Sequence, residues 1–304
     1  MISRIANNTG VALLKLVSKW PMSLLYLASD ILFPVVYYII RYRRHVVTIN
    51  LRNAFPEKTD RERGLIAKRY YRHLCDLVVE TIKTVSISKE DISERMVFRN
   101  PEVLNALFNN GKSVLILAMH YGNWEWCVHI PLVVKHHQFY VYKSLRNEIF
   151  DHFFNKVRER FGGETVSMSL ILRKLLNAEK DKIPVLTWLA ADQAPPWNHP
   201  FWTEFLNQET MFFNGPAKLA QRFNHPVFFH QVRKIKRGTY ETWFELLIEN
   251  PLEMTEEAII EKYVKKAEAV IRNSPEFYLW SHRRWKYKKD MGASNPVPES
   301  VENV

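Results

Sequence analysis

The chain carries only two cysteines in 304 residues, Cys75 and Cys127. Two thiols without Cys-x-x-Cys spacing argue against a disulfide framework and against a structural zinc site, and they fit a reducing compartment. His129, His136, His137, His199 and His225 also lack metal-ligand spacing, so neither a metal nor a dissociable cofactor is expected. No recognised nucleic-acid motif accompanies the basic residues, which are spread along the chain, and nucleic acid is not an expected partner. There is no internal repeat and no low-complexity segment. No small-residue cleavage site follows the N-terminal apolar stretch, so that stretch does not read as a cleaved leader.

What is present is apolar and basic. The chain is 47% hydrophobic and 13% aromatic, and 43 Lys plus Arg against 32 Asp plus Glu leave a formal charge of +11. That composition supports a sizeable core. The charge surplus points to a polyanionic partner such as an anionic membrane face or a phosphorylated substrate. Residues 20–40 are long and apolar enough for a bilayer-crossing helix, although Asp30 and Pro34 interrupt them and Arg41, Arg43 and Arg44 follow. Three readings remain open for this segment: a spanning helix, a helix lying in the interface, and a buried helix. The expected organisation is an N-terminal membrane anchor over 1–45, one domain over 46–290 and a loose tail over 291–304.

Periodicity places an amphipathic helix over 61–85 and a short helix over 102–109. Ser113–Met119 is a continuous apolar run after Gly111, the pattern of a strand buried on both faces. Strands are also expected at 138–142, 183–190, 226–232 and 242–248. Helices are expected at 124–134, 147–161, 170–178 and 255–272, the last with Thr255 as N-cap. Alternating strands and helices imply an α/β fold, a mixed central sheet flanked by helices.

The chemistry gathers at His120-Tyr121-Gly122-Asn123-Trp124-Glu125. Residues five apart do not share a face of one helix. His120 is therefore placed at the carboxyl end of strand 113–119 and Glu125 in the first turn of the next helix, with Gly122 and Asn123 making the bend. Open α/β sheets bind ligands beyond the carboxyl ends of their strands. An imidazole there is suited to take a proton near pH 7, and a nearby carboxylate fixes its tautomer. No serine or cysteine stands beside them as a nucleophile. The simplest chemistry has His120 deprotonate an acceptor hydroxyl that attacks an acyl thioester. The bland alternative is a histidine at a strand end beside a helix-capping Glu125.

Further blocks recur in a familiar order: Tyr142-Lys143-Ser144-Leu145-Arg146-Asn147, Arg158-Glu159-Arg160-Phe161-Gly162, Ala191-Asp192-Gln193, Phe213-Asn214-Gly215-Pro216-Ala217 and Tyr278-Leu279-Trp280-Ser281-His282-Arg283-Arg284-Trp285-Lys286. With a histidine, four residues and an acidic residue ahead of them, these resemble the late (lauroyl/myristoyl) acyltransferases of lipid A biosynthesis, within the lysophospholipid acyltransferase superfamily. The order holds from about residue 1 to 290. The resemblance implies a glycerolipid acyltransferase-like fold at the cytoplasmic face of the bacterial inner membrane. It implies acyl transfer from acyl carrier protein to a phosphorylated glycolipid acceptor. It implies His120 and Glu125 as the catalytic residues, and Lys143, Arg146, Asn147, Arg158, Arg160, Asp192, Gln193 and Gly215 as substrate-binding residues. Departures are Lys143 where arginine is common, which loses bidentate capacity, and Ala194-Pro195-Pro196 where glycine and tyrosine are usual. They bear on the acceptor and chain length more than on the reaction.

Each supporting residue has a plainer reading. Arg158 and Arg160 share a charged helix face with Lys156 and Glu159. Asp192 and Gln193 could serve turn chemistry. Gly215 either aims an amide at an oxyanion or simply precedes a helix with Pro216 at its first position. Trp280, His282, Arg283, Arg284 and Trp285 either line the site or form a packed C-terminal cluster. Two competing functions stand beside the lipid A one. A glycerophospholipid acyltransferase of the same superfamily is disfavoured by Met119 ahead of His120 and by the absence of a Pro-Glu-Gly block, whereas an aminolipid acyltransferase stays open. A non-enzymatic basic membrane-binding or nucleic-acid module rests on charge and aromatics alone.

Overall fold

A computed structural model describes residues 2–195 and 201–289 of the chain, with side chains from residue 6. The tail expected over 291–304, together with Trp197 and His199, lies outside the described residues. Nine strands are defined among them: β1 Met96–Phe98, β2 Val114–Ala118, β3 His137–Tyr142, β4 Glu164–Ser167, β5 Val185–Ala190, β6 Phe201–Phe205, β7 Gln208–Phe212, β8 Val227–Lys236 and β9 Thr239–Ile248. The α-helices are α1 Ile2–Ser18, α2 Met22–Pro34, α3 Arg44–Ala54, α4 Asp60–Lys83, α5 Lys89–Arg95, α6 Pro101–Asn109, α7 Glu148–Arg158, α8 Ile171–Lys180, α9 Gly215–Phe223 and α10 Glu256–Asn273.

Seven strands form one sheet in the order β1-β9-β8-β2-β5-β3-β4. All neighbours in it are parallel except the β8–β9 pair, so the expected mixed α/β sheet flanked by helices is what forms. The apolar run becomes its centre. All five residues of β2 are buried. Leu115 and Leu117 pack into one core and Val114 and Ile116 into the other, as a strand covered on both faces requires. A separate antiparallel hairpin, β6–β7, falls where the sequence pattern predicts no strand. It turns at Leu206 and Asn207, both in the left-handed region with φ of 53° and 61°, a turn that no glycine announces.

Caps explain several boundaries. Thr59 and Glu62 close a capping box at the start of α4, which satisfies two otherwise orphan N–H groups. Thr255 accepts from the Ala258 N–H at 3.2 Å and opens α10 as expected. Residues 124–132 coil more tightly than an α-helix, as a 3-10 helix. Pro131 within that stretch has no N–H to donate and its ring crowds the preceding turn.

The N-terminal apolar segment is α2 followed by a π-helical turn over Val35–Ile39. Pro34 lacks an N–H and clashes with the carbonyl four residues back, and the chain answers by widening. By length and composition Met22–Ile39 is able to cross a membrane. One face of it nevertheless lies on the domain. Met22 and Leu25 are buried in the core, the Tyr26 hydroxyl donates to Glu80 at 2.7 Å and the Ser29 hydroxyl donates to Asp76 at 2.9 Å. Asp30, a flaw in the apolar run by sequence, is ion-paired with Arg237 at 2.7 Å. The opposite face leaves Leu24, Leu27, Ile31 and Ile39 exposed.

Candidate active site

The site follows from strand register. β2 and β5 are parallel neighbours, and Ala118 stands beside Ala190 at their carboxyl ends. Two residues further along each strand come His120 and Asp192, so the pairing of the sheet continues into a pairing of side chains. The Ala191 N–H donates to the Ala118 carbonyl at 3.0 Å, which carries the ladder one step past the strands.

The turn after β2 is pinned from several sides. Gly122 has φ of 61°, and a Cβ there would stand 2.9 Å from the Val232 side chain, so only glycine fits. The Gly122 N–H donates to the Phe277 carbonyl at 3.0 Å, and the Leu279 N–H donates to the His120 carbonyl at 3.1 Å. His73 Nε2 donates to the Gly122 carbonyl at 3.1 Å. Asn123 caps the 3-10 helix by accepting from the Trp126 N–H at 3.0 Å.

Asp192 grips His120 with both oxygens. Oδ1 lies 2.8 Å from His120 Nδ1, and Oδ2 accepts from the His120 backbone N–H at 3.1 Å. A carboxylate can only accept, so Nδ1 carries a proton and the lone pair of the neutral ring sits on Nε2. Gln193 Nε2 donates to that atom at 3.1 Å. The Asp192 side chain is 3% exposed and that of His120 20%, which leaves the imidazole reachable and its partner sealed. Burial alone would push the His120 pKa down. The Asp192 charge and hydrogen bond, helped by the Glu125 charge and opposed by Arg158, lift it above the ordinary histidine value. Asp192 responds inversely: burial would raise its pKa, yet the His120 charge and hydrogen bonds hold it below the usual carboxylate range.

The carboxylate hydrogen-bonded to the imidazole is thus Asp192, in place of the Glu125 that the sequence points to. Glu125 is one step away. Its carboxylate is ion-paired with Arg158, with nitrogen–oxygen separations of 3.2 and 3.3 Å, and it accepts from the Trp124 indole at 3.2 Å. The reason is geometric. Residues 124–126 already belong to the 3-10 helix, and Trp124 is the residue that lies edge-on to the imidazole, with ring centroids 5.2 Å apart.

The other expected residues separate into two groups. Lys143 and Arg146 are exposed on the turn after β3, on the same rim of the sheet as His120 and Asp192. Asn147 caps α7, accepting from Ile149 and Phe150 N–H at 3.1 and 3.3 Å, a structural task. The Arg160 guanidinium donates to the Thr84 and Ile87 carbonyls and so fastens the end of α7 to the loop after α4. Gly215 begins α9 with Pro216 in its first turn, and a Cβ there would come within 2.2 Å of the Phe213 ring, so close packing explains the glycine.

His282 and Arg284 of the closing block reach the same neighbourhood. His282 Nε2 accepts from the Ala194 N–H at 3.3 Å, and burial pushes its pKa down to about 4, so this ring stays neutral. Arg284 is buried and lies over the Phe212 ring at 4.2 Å; burial lowers its pKa, against the opposing influence of Tyr278 and Asp192. Beside the imidazole, Ala118, Met119, Tyr121, Trp124, Cys127, Trp188, His230 and Val232 surround a narrow gap with no room for a water molecule. An open cleft of about 660 Å³ sits elsewhere, at Arg52, Asn53, Pro56, Arg63, Asn207 and Gln208, and contains no group suited to act as a base. Among the described residues no cluster of metal-ligating side chains is found.

Comparison with known proteins agrees with the resemblance in the sequence. A family model described as bacterial lipid A biosynthesis acyltransferase matches residues 2–287. A lipid A biosynthesis acyltransferase 2 of Shigella flexneri is 29% identical over 127 residues, 40% of this chain and 39% of that protein. A lipid A biosynthesis myristoyltransferase of Escherichia coli strain K12 is 27% identical over 124 residues, 40% of this chain and 37% of that protein. The matched stretch therefore spans about two-fifths of these curated relatives. Among solved structures, a 1-acyl-sn-glycerophosphate acyltransferase of Thermotoga maritima is 12% identical with a TM-score of 0.36, covering 84% of this chain and 97% of that one.

Proposed function

Since the chain belongs to the bacterial lipid A biosynthesis acyltransferase family, we propose that it moves a fatty acyl group from an acyl carrier protein thioester to a hydroxyl of a lipid A precursor or a related membrane lipid. The observation that carries this reading is the state of one ring: Nδ1 of His120 is held by a sealed carboxylate, and its basic Nε2 is met by the Gln193 amide, which an acceptor hydroxyl has to displace. In the proposed step Nε2 takes the proton of the acceptor hydroxyl as its oxygen attacks the thioester carbonyl. Collapse of the tetrahedral adduct breaks the carbon–sulfur bond, and the imidazolium returns the proton to the departing thiolate. Asp192 stabilises the imidazolium without taking its proton. Glu125 adds negative charge nearby, and its ion pair with Arg158 holds the wall of the site. Lys143 and Arg146, on the rim, are the proposed contacts for acceptor phosphates or for the acidic carrier.

The test is transfer of a labelled acyl chain from acyl carrier protein to a phosphorylated glucosamine lipid, together with mass spectrometry of membranes with and without the protein. The proposal requires one acyl chain gained by the glycolipid. Acylation of glycerol 3-phosphate or lysophosphatidate in its place would favour the sister branch, and transfer to neither would end the enzymatic reading.

We further propose that the protein works at the cytoplasmic face of the inner membrane with α2 lying in the interface. One face of the helix packs on the protein's own domain, which favours the in-plane placement, and its outward face is apolar beside Arg41. Side chains such as Leu27, Ile31 and Ile39 are worth about 1.5–3 kcal/mol each when fully buried. Replacing all three by serine is expected to weaken partition into anionic vesicles by at least about 100-fold in a flotation assay. An unchanged partition would move the contact elsewhere.

A further inference from the structure

Glu80 of α4 is fully buried, yet its carboxylate makes none of the described ion pairs. It receives three neutral donors. The Tyr26 hydroxyl donates to Oε1 at 2.7 Å, and the Tyr240 hydroxyl and the Asn123 amide Nδ2 both donate to Oε2 at 2.7 Å. Its backbone carbonyl accepts from the Trp126 indole at 3.0 Å. One residue of α4 therefore holds Asn123 in the turn after His120, Trp126 in the 3-10 helix, and also helix α2 and strand β9. Burial raises the Glu80 pKa, and the nearby Lys234 charge and the tyrosine hydroxyls only partly offset this, so the group is costly unless its oxygens are fully used, and packing alone would be served better by leucine. The cost has to be offset by something the carboxylate specifies.

What it specifies is the Asn123 side chain. Asn123 can cap Trp126 through Oδ1 only if Nδ2 points the other way, and Glu80 is the acceptor waiting there. The cap sets the first turn of the 3-10 helix, and that turn carries Trp124 against the imidazole and Glu125 toward Arg158. We propose that Glu80 is a positioning residue for the acyl-transfer site, holding the His120–Glu125 turn through Asn123 and tying it to the membrane-facing helix through Tyr26. The inference rests on the acyltransferase reading. Misplacement of a reacting group by about 1 Å costs on the order of 100-fold in rate.

The experiment exchanges donor and acceptor. Asn123→Asp sets two carboxylates 2.7 Å apart where the amide now donates, and such groups cannot both ionise in place. It is expected to lower kcat by about 10- to 100-fold with KM for the donor changed less than about threefold. Glu80→Gln alone is expected to cost only a few-fold, because a turned amide can still present an oxygen to Asn123. In the double variant, Glu80→Gln with Asn123→Asp, the amide introduced on α4 donates to the carboxylate introduced in the turn and to the Tyr240 hydroxyl, and kcat is expected to recover at least about tenfold over Asn123→Asp. Recovery of kcat at a temperature where circular dichroism shows every variant folded supports positioning. A double variant as slow as Asn123→Asp overturns it. So does a loss that appears in KM alone, or one that merely follows the unfolded fraction. Wild-type transfer is measured first: its absence would sink the acyltransferase reading and this inference with it, whereas failed recovery in an active enzyme sinks this inference alone.

Discussion

His120→Ala is expected to lower kcat/KM for acyl transfer by about 100- to 10,000-fold, the usual contribution of a positioned general base, with the fold intact. The side chain is one-fifth exposed and sits past the end of β2, so its removal leaves the five buried residues of the strand in place. The variant does leave Asp192 without its cationic partner. Burial then dominates that carboxyl, which is expected to rise out of its present low range. A small loss of Tm below neutral pH should accompany the loss of rate, and the two effects separate in one set of measurements. Comparing rates at saturating donor distinguishes a lost base, which lowers kcat, from a lost binding contact, which raises KM. Activity within about tenfold of wild type would remove His120 from the chemistry.

How the site could be read from the chain depends on which residue is considered. His120 was legible because a buried strand announces itself by a run of apolar residues, and ligand sites of such sheets lie just past its end. Asp192 was legible in the same way, since it follows β5 by the interval at which His120 follows β2. That β2 and β5 are neighbours in parallel register was not legible, because apolar runs do not specify strand order. Nearness along the chain therefore pointed to Glu125 as the orienting carboxylate, while the register gave that place to Asp192. For Asn147 and Arg160 the fold adds contacts within the protein to the expected substrate role. Both belong to blocks that the resemblance marks as substrate-binding, yet an asparagine before a helix is first of all a cap, and Arg160 meets its two carbonyls only across the fold. The α4 capping box was written openly as Thr59 and Glu62 and locates the helix start. The β6–β7 hairpin was not, because its turn uses Leu206 and Asn207 where glycine would have signalled it. Glu80 lay inside an amphipathic helix, indistinguishable by periodicity from a solvated charge.

Asp192→Asn is expected to be nearly as damaging as loss of the ring itself, about 100- to 10,000-fold in kcat, because the substitution reverses a tautomer. Asp192 now accepts two hydrogen bonds, from His120 Nδ1 and from the His120 backbone N–H. An asparagine offers one oxygen. If that oxygen stays with the backbone N–H, the amide donates to Nδ1, the ring proton moves to Nε2, and the base is blocked. If the amide turns, its nitrogen faces the backbone N–H and one donor is left without an acceptor. The pH dependence distinguishes this from general damage. His120 must be neutral to act, and its pKa is raised, so the acid limb of kcat/KM in wild type should fall above the ordinary histidine value of about 6.5. Without the carboxylate, burial is left as the leading influence, and the residual activity of Asp192→Asn should show its acid limb at lower pH. Glu125→Gln removes only the smaller, through-space contribution and should move the limb less in the same direction. Stability has the matching signature. The imidazolium's raised pKa makes its contribution full below about 6.5 and lost as pH rises through the folded value. The lowered pKa of Asp192 makes its contribution full above about 3.9 and lost as pH falls through the folded value. The Tm gap between wild type and Asp192→Asn should therefore be widest between those limits and narrow on the alkaline side. A gap that instead widened as pH rose past neutrality, or an acid limb that stayed in place, would mean that the pair does not bind its proton as the geometry requires.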